Sequence, residues 1–140
     1  MPLTEDVLAP SSDPDRVGAE IREVIQEEAR SGNAVIMGRG GVFILGEVGG
    51  VAHFRLVGRR EDRIARISSY RSCTSDEAER LVNKVDRDRE AHVRYFFDAD
   101  PRDPHHYHMV LNTSAIGYEA AARIIVETVL GRRAGDLTGK

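Results

Sequence analysis

The residues best suited to chemistry stand where a short apolar run ends. "AVIM", residues 34–37, runs directly into Gly38-Arg39-Gly40-Gly41. Glycines let the backbone approach an anion closely, and an arginine adds a permanently charged fork that matches phosphate in a bidentate way. The same residues also fit a tight turn whose arginine pairs with a surface acid, and spacing alone leaves both open. The stretch is not the Gly-x-x-x-x-Gly-Lys-Ser/Thr loop that cradles nucleotide phosphates. A second constellation is Arg87-Asp88-Arg89, inside "DRDRE". Its cations suit a lid closing over transferring phosphates, where guanidinium groups stabilise charge on the equatorial oxygens. The alternative is a solvated helix laced by i,i+4 pairs such as Glu90 with Arg94.

Two other clusters carry less. His105, His106 and His108 are metal-ligand types, but no acid or thiol accompanies them at zinc spacing, so no metal site is expected. Cys73 stands just before a helix cap with no histidine partner signature, and no Gly-x-Ser-x-Gly elbow is present.

The elements that must position these residues follow from periodicity and punctuation. Asp13-Pro14 reads as a helix start, and Val17, Ile21, Val24 and Ile25 share one helical face. Ser31-Gly32-Asn33 stops that helix. Ala34–Met37 and Val51–Val57 read as buried strands, and Met109–Leu111 as a third, ending in Asn112-Thr113-Ser114. Between them, "GRREDRIARISSY" is a charged helix. "TSDE", residues 74–77, is a capping box that opens a long helix through Leu81, Val82 and Val85, reaching Val93 and Phe96. "DADPRDPHHYH" is a loop, and "YEAAARIIVETVL" an amphipathic helix ending at Gly131. Helices alternating with apolar strands predict an α/β domain with a parallel sheet of about three strands, whose ligands sit at the strands' carboxyl ends. All three strands end in residues able to bind anions or anchor loops.

Composition narrows the classes. The chain has 140 residues, 31% of them charged, a formal charge of −3 and a pI near 6, which gives no basic field for nucleic acid or anionic membrane. No apolar run reaches the ~20 residues of a membrane span. The acidic start is unlike a secretory signal, and a lone cysteine makes no intrachain disulfide, so a cytoplasmic setting is expected. Residues 1–12 read as a flexible arm, 13–131 as one domain with a lid at roughly 74–106, and 132–140 as a polar tail.

Taken together, "GNAVIMGRGGVFIL", "VAHFRLVGRREDRIARI", "KVDRDREAHVRYFF", "DPHHYHMVLNTS" and "EAAARIIVETVL" resemble the cytidylate-kinase-like family of P-loop nucleoside monophosphate kinases, over roughly residues 17–130. The resemblance implies phosphoryl transfer from ATP, with magnesium, to CMP or a related monophosphate. It implies that Arg39, with Gly38, Gly40 and Gly41, holds the acceptor phosphate. It makes Arg87, Asp88 and Arg89 the catalytic lid residues and Arg63 a further phosphate-facing arginine. Asn112-Thr113-Ser114 would anchor the following loop. The fold implied is a three-layer P-loop-kinase fold.

The sequence departs from that pattern at the donor site. Residues 1–30 contain one glycine, Gly18, and no lysine, and the lysines of the chain are Lys84 and Lys140. A P-loop lysine reaches the β- and γ-phosphates and its Ser/Thr holds magnesium. In the resembled fold the P-loop strand lies between the strand ending at Arg39 and the strand ending at Val57. The expected fold is therefore incomplete: the sheet closes up, or an exposed edge is covered by a homo-oligomer, or the natural chain starts upstream. The alternatives to a kinase are a non-catalytic module that binds a nucleotide or phosphate, and a homo-oligomeric interaction protein.

Overall fold

The computed structural model of the chain describes residues 13–131. The arm at 1–12 and the tail at 132–140 lie outside the described residues. Helix α1, Pro14–Ser31, starts where the sequence predicts. The Asp13 carboxylate accepts the Asp15 N–H at 3.0 Å, and Pro14 occupies the first turn, where no N–H is needed. A short helix α2, Gly41–Leu45, follows the glycine-arginine turn.

Strand β1, Phe54–Val57, pairs in parallel with β2, Met109–Asn112, in the register Phe54 with Met109 through Val57 with Asn112. Between them run α3, Arg60–Arg71, and α4, Ser75–Phe97, packed against each other as a hairpin. Thr74 and Glu77 cap α4 reciprocally: the Glu77 N–H donates to Thr74 Oγ1 at 3.2 Å, and the Thr74 N–H donates to Glu77 Oε2 at 2.8 Å. A 3₁₀ turn at Pro104–His106 precedes β2. Helices α5, Thr113–Ile116, and α6, Tyr118–Leu130, complete the described chain.

The α/β class with a short parallel sheet and flanking helices holds, in a two-stranded form. Ala34–Met37 is not a strand. It joins no sheet, with Val35 93% and Met37 85% exposed. The reason is that a strand exists only against a neighbour, and its composition announces a wish for burial, not a partner. The run beginning at Val51 also becomes a strand only from Phe54, where β2 is there to meet it.

The strand ends are tied together. Thr113 Oγ1 donates to the Val57 carbonyl at 3.0 Å, and the Arg59 N–H donates to Ser114 Oγ at 2.7 Å. One residue before the sheet, the His53 N–H donates to His108 Nδ1 at 2.9 Å, and the His108 N–H donates to the His53 carbonyl at 2.8 Å. The apolar interior is small. Ile25, Leu45, Ala78, Val82, Val93 and Ala121 are buried, and among the described residues no large side chain is completely so.

Candidate functional site

The turn after Ala34–Met37 has an unusual backbone. Gly38, Arg39 and Gly40 all lie in the left-handed region, at φ of 71°, 58° and 72°. Glycine accepts this without cost, whereas an L-residue with a Cβ is strained there by roughly 1–2 kcal/mol. Gly41 N–H closes the turn onto the Gly38 carbonyl at 3.2 Å. Arg39 makes no hydrogen bond or ion pair with any described residue.

The turn leans on the carboxyl end of α4. A Cβ on Gly40 would fall inside the Phe97 ring, and one on Gly18 inside the Phe96 ring, so both positions need glycine for close approach. Phe97 also stacks on Phe43 of α2, with centroids 5.2 Å apart. These contacts wall a cavity of about 220 Å³ into which Arg39 opens beside Arg22 and Asp15 of α1, His92 of α4, and the two phenylalanine rings.

Arg63 is committed elsewhere. It grips Asp86 with both terminal nitrogens, at 2.8 and 2.6 Å, and the two side chains are half-buried between α3 and α4. Those hydrogen bonds hold the Asp86 carboxyl below its usual range, against the opposing effect of burial. Asp88 accepts from Lys84 at 2.7 Å, one turn back on the same helix. Arg87 lines a shallow groove with Arg80, Asn83, Asp86 and Glu90, and Arg89 adds positive charge near Asp86. This groove and the Arg39 cavity have no lining residue in common, so the two predicted arginine sets are not brought to one point.

The histidine cluster disperses. His105 pairs with Asp103 at 2.7 Å, His106 meets Phe43 edge-on, and His108 serves His53. Among the described residues no group of three His, Cys, Asp or Glu side chains is placed to hold a metal. Asn112-Thr113-Ser114 engages the β1 end through the bonds given above. Ser114 also hydrogen-bonds Asp62, which with Arg59 keeps that carboxyl below its usual range.

Sequence reasoning missed Arg22, His92 and the two-phenylalanine wall. The one available signal was Gly18, a poor helix former placed on the apolar face of α1.

A parallel strand pair with helices on its flanks and a charged helical hairpin between its strands makes a mostly helical α/β domain of kinase-like type. Residues 5–115 match the cytidylate kinase-like family, and the chain belongs to it. A crystal structure of an uncharacterized protein from Eubacterium ventriosum ATCC 27560 shares the fold, with a TM-score of 0.77 at 16% identity over 84% of this chain and 74% of that one. The chain is also 28% identical over 101 residues to the uronate isomerase of Corynebacterium glutamicum, a match covering 72% of this chain and 20% of that protein. It thus spans about a fifth of the length of the curated relative it matches. Among the described residues no helix is long and apolar enough to cross a membrane.

Proposed function

We propose that this chain binds a nucleoside monophosphate, CMP or a close relative, by its phosphate at Arg39. The observation that carries the reading is Arg39 itself. It is a charged side chain without a hydrogen-bond or ion-pair partner among the described residues, held in a costly backbone conformation between two glycines on the wall of a cavity. Strain of that kind persists where surrounding structure enforces it, and a guanidinium so placed suits an anion arriving from outside. Arg87 and Arg89 enter the reading as lid cations on α4. Arg63, engaged by Asp86, positions that helix.

The family reaction uses ATP and magnesium, and the described residues do not fit a triphosphate. They include no glycine-rich loop with a following lysine, and Lys84 is held by Asp88. The reading therefore assigns this chain acceptor binding without turnover of its own. The test is phosphorus NMR of the folded chain titrated with CMP, then supplied with ATP and magnesium. The expected result is a saturable change in the CMP resonance, weakened about tenfold or more in Arg39→Ala, with no CDP formed. Affinity unaltered in Arg39→Ala would overturn the site. CDP and ADP accumulating in proportion to protein would overturn the absence of turnover.

A further inference from the structure

Resting on that reading, we infer that Arg22 of α1 and His92 of α4 bind the same phosphate as Arg39, making a three-element site selective for a phosphomonoester over a diester. Phe97 is the common post. Gly40 abuts its ring, the Arg22 guanidinium carbon stands 5.8 Å from its centroid, and the His92 ring centroid lies 6.2 Å away. His92 also packs on Phe96 at 4.8 Å. Arg22 and His92 thus flank the ring that Gly40 abuts, and with Arg39 they line one cavity.

The Arg22 side chain makes no hydrogen bond or ion pair with any described residue, and its guanidinium lies over the Phe97 face. Asp15 is the single acid on the cavity wall, and its Oδ1 accepts the Tyr95 hydroxyl at 3.2 Å. Two arginines oppose one carboxylate, so Arg22, Arg39 and Asp15 together contribute a lining charge of +1. Aromatic walls lower the local dielectric and strengthen attraction for an anion. A monoester offers three terminal oxygens and up to two charges to these donors, whereas a diester offers two oxygens and one charge. The cavity is smaller than the roughly 300–1,000 Å³ that engulfs a whole drug-sized ligand. It therefore takes the phosphate end and leaves the base outside.

Calorimetric titration of the full chain with CMP, and with 3′,5′-cyclic CMP as the diester probe, tests the assignment. Arg22→Gln and His92→Gln are each expected to weaken CMP by about tenfold to a hundredfold, as loss of a charge-assisted hydrogen bond does. Arg22→Lys recovers part of the loss. Asp15→Asn, which removes the opposing charge and keeps an oxygen to accept the Tyr95 hydroxyl, tightens CMP several-fold. The wild type is expected to bind the cyclic diester at least tenfold more weakly. CMP affinity unchanged in Arg22→Gln, His92→Gln and Asp15→Asn, but lost in Arg39→Ala, would overturn the three-element site and leave the Arg39 reading standing. Equal affinity for the diester would overturn the selectivity. Affinity unchanged in Arg39→Ala would overturn the reading on which the inference rests.

Discussion

Arg39 sets stability against binding at a single position. Its left-handed backbone costs energy that a glycine would not incur, and its side chain returns nothing to the fold through any described contact. Arg39→Gly is therefore expected to stabilise the chain by about 1 kcal/mol in urea unfolding while removing CMP binding. A loss of stability would mean that the guanidinium supports the fold. His53 behaves in the opposite sense. It is 8% exposed, with Nε2 2.8 Å from the Gly46 carbonyl, which assigns the ring proton to that nitrogen. Burial pushes its pKa below the usual 6.5, aided by His108 and resisted by the Gly46 hydrogen bond. The unfolded chain thus binds the extra proton first, so this contribution is complete above about pH 6.5 and is lost as the pH falls below it. Urea midpoints between pH 7.5 and 5.5 should fall, and His53→Gln should flatten the trend. An unchanged slope in His53→Gln would place the titrating group elsewhere.

Among the elements, the α3–α4 hairpin is held by the Arg63–Asp86 pair. Both side chains are more than a third exposed, so screening limits the pair to about 1 kcal/mol even in its bidentate geometry. A double-mutant cycle with Arg63→Met and Asp86→Asn should return a coupling of that size. It should vanish as acid protonates Asp86 below its usual range. Zero coupling at neutral pH would return Arg63 to the set of candidate phosphate ligands.

What was legible in the sequence follows the range of the interactions concerned. The Asp13-Pro14 start and the Thr74–Glu77 box are made within four residues, and both form as expected. Ala34–Met37 fails because its outcome depends on a neighbour that the segment itself does not encode. The approach of Arg22, Gly40 and His92 to Phe97 joins three distant stretches, and no spacing rule reports it. The mutual bonds of His53 and His108 span 55 residues and were equally hidden.

At the scale of the whole molecule, the small interior and the bare Ala34–Met37 run describe a domain with an unfinished side. We propose that this exposed apolar run, which joins no sheet, is a surface for self-association. Val35→Lys with Met37→Lys should reduce concentration-dependent association in sedimentation velocity without lowering helicity. Association undiminished in that variant would move the sticky surface to another place, with α6 the first alternative, since Val126, Val129 and Leu130 are exposed there.

The parallel pairing of β1 with β2 has a consequence in time. Its four rungs join residues 55 positions apart, and closing a flexible loop of that length costs roughly 3.5 kcal/mol before any rung forms. Most of the intervening chain is α3 and α4, whose turns and caps are local. A helical hairpin formed first draws the ends of that loop together, so the cost of bringing the strands into register falls on few residues. The site at Arg39 would then be assembled late, once the far end of α4 has arrived to receive its glycines.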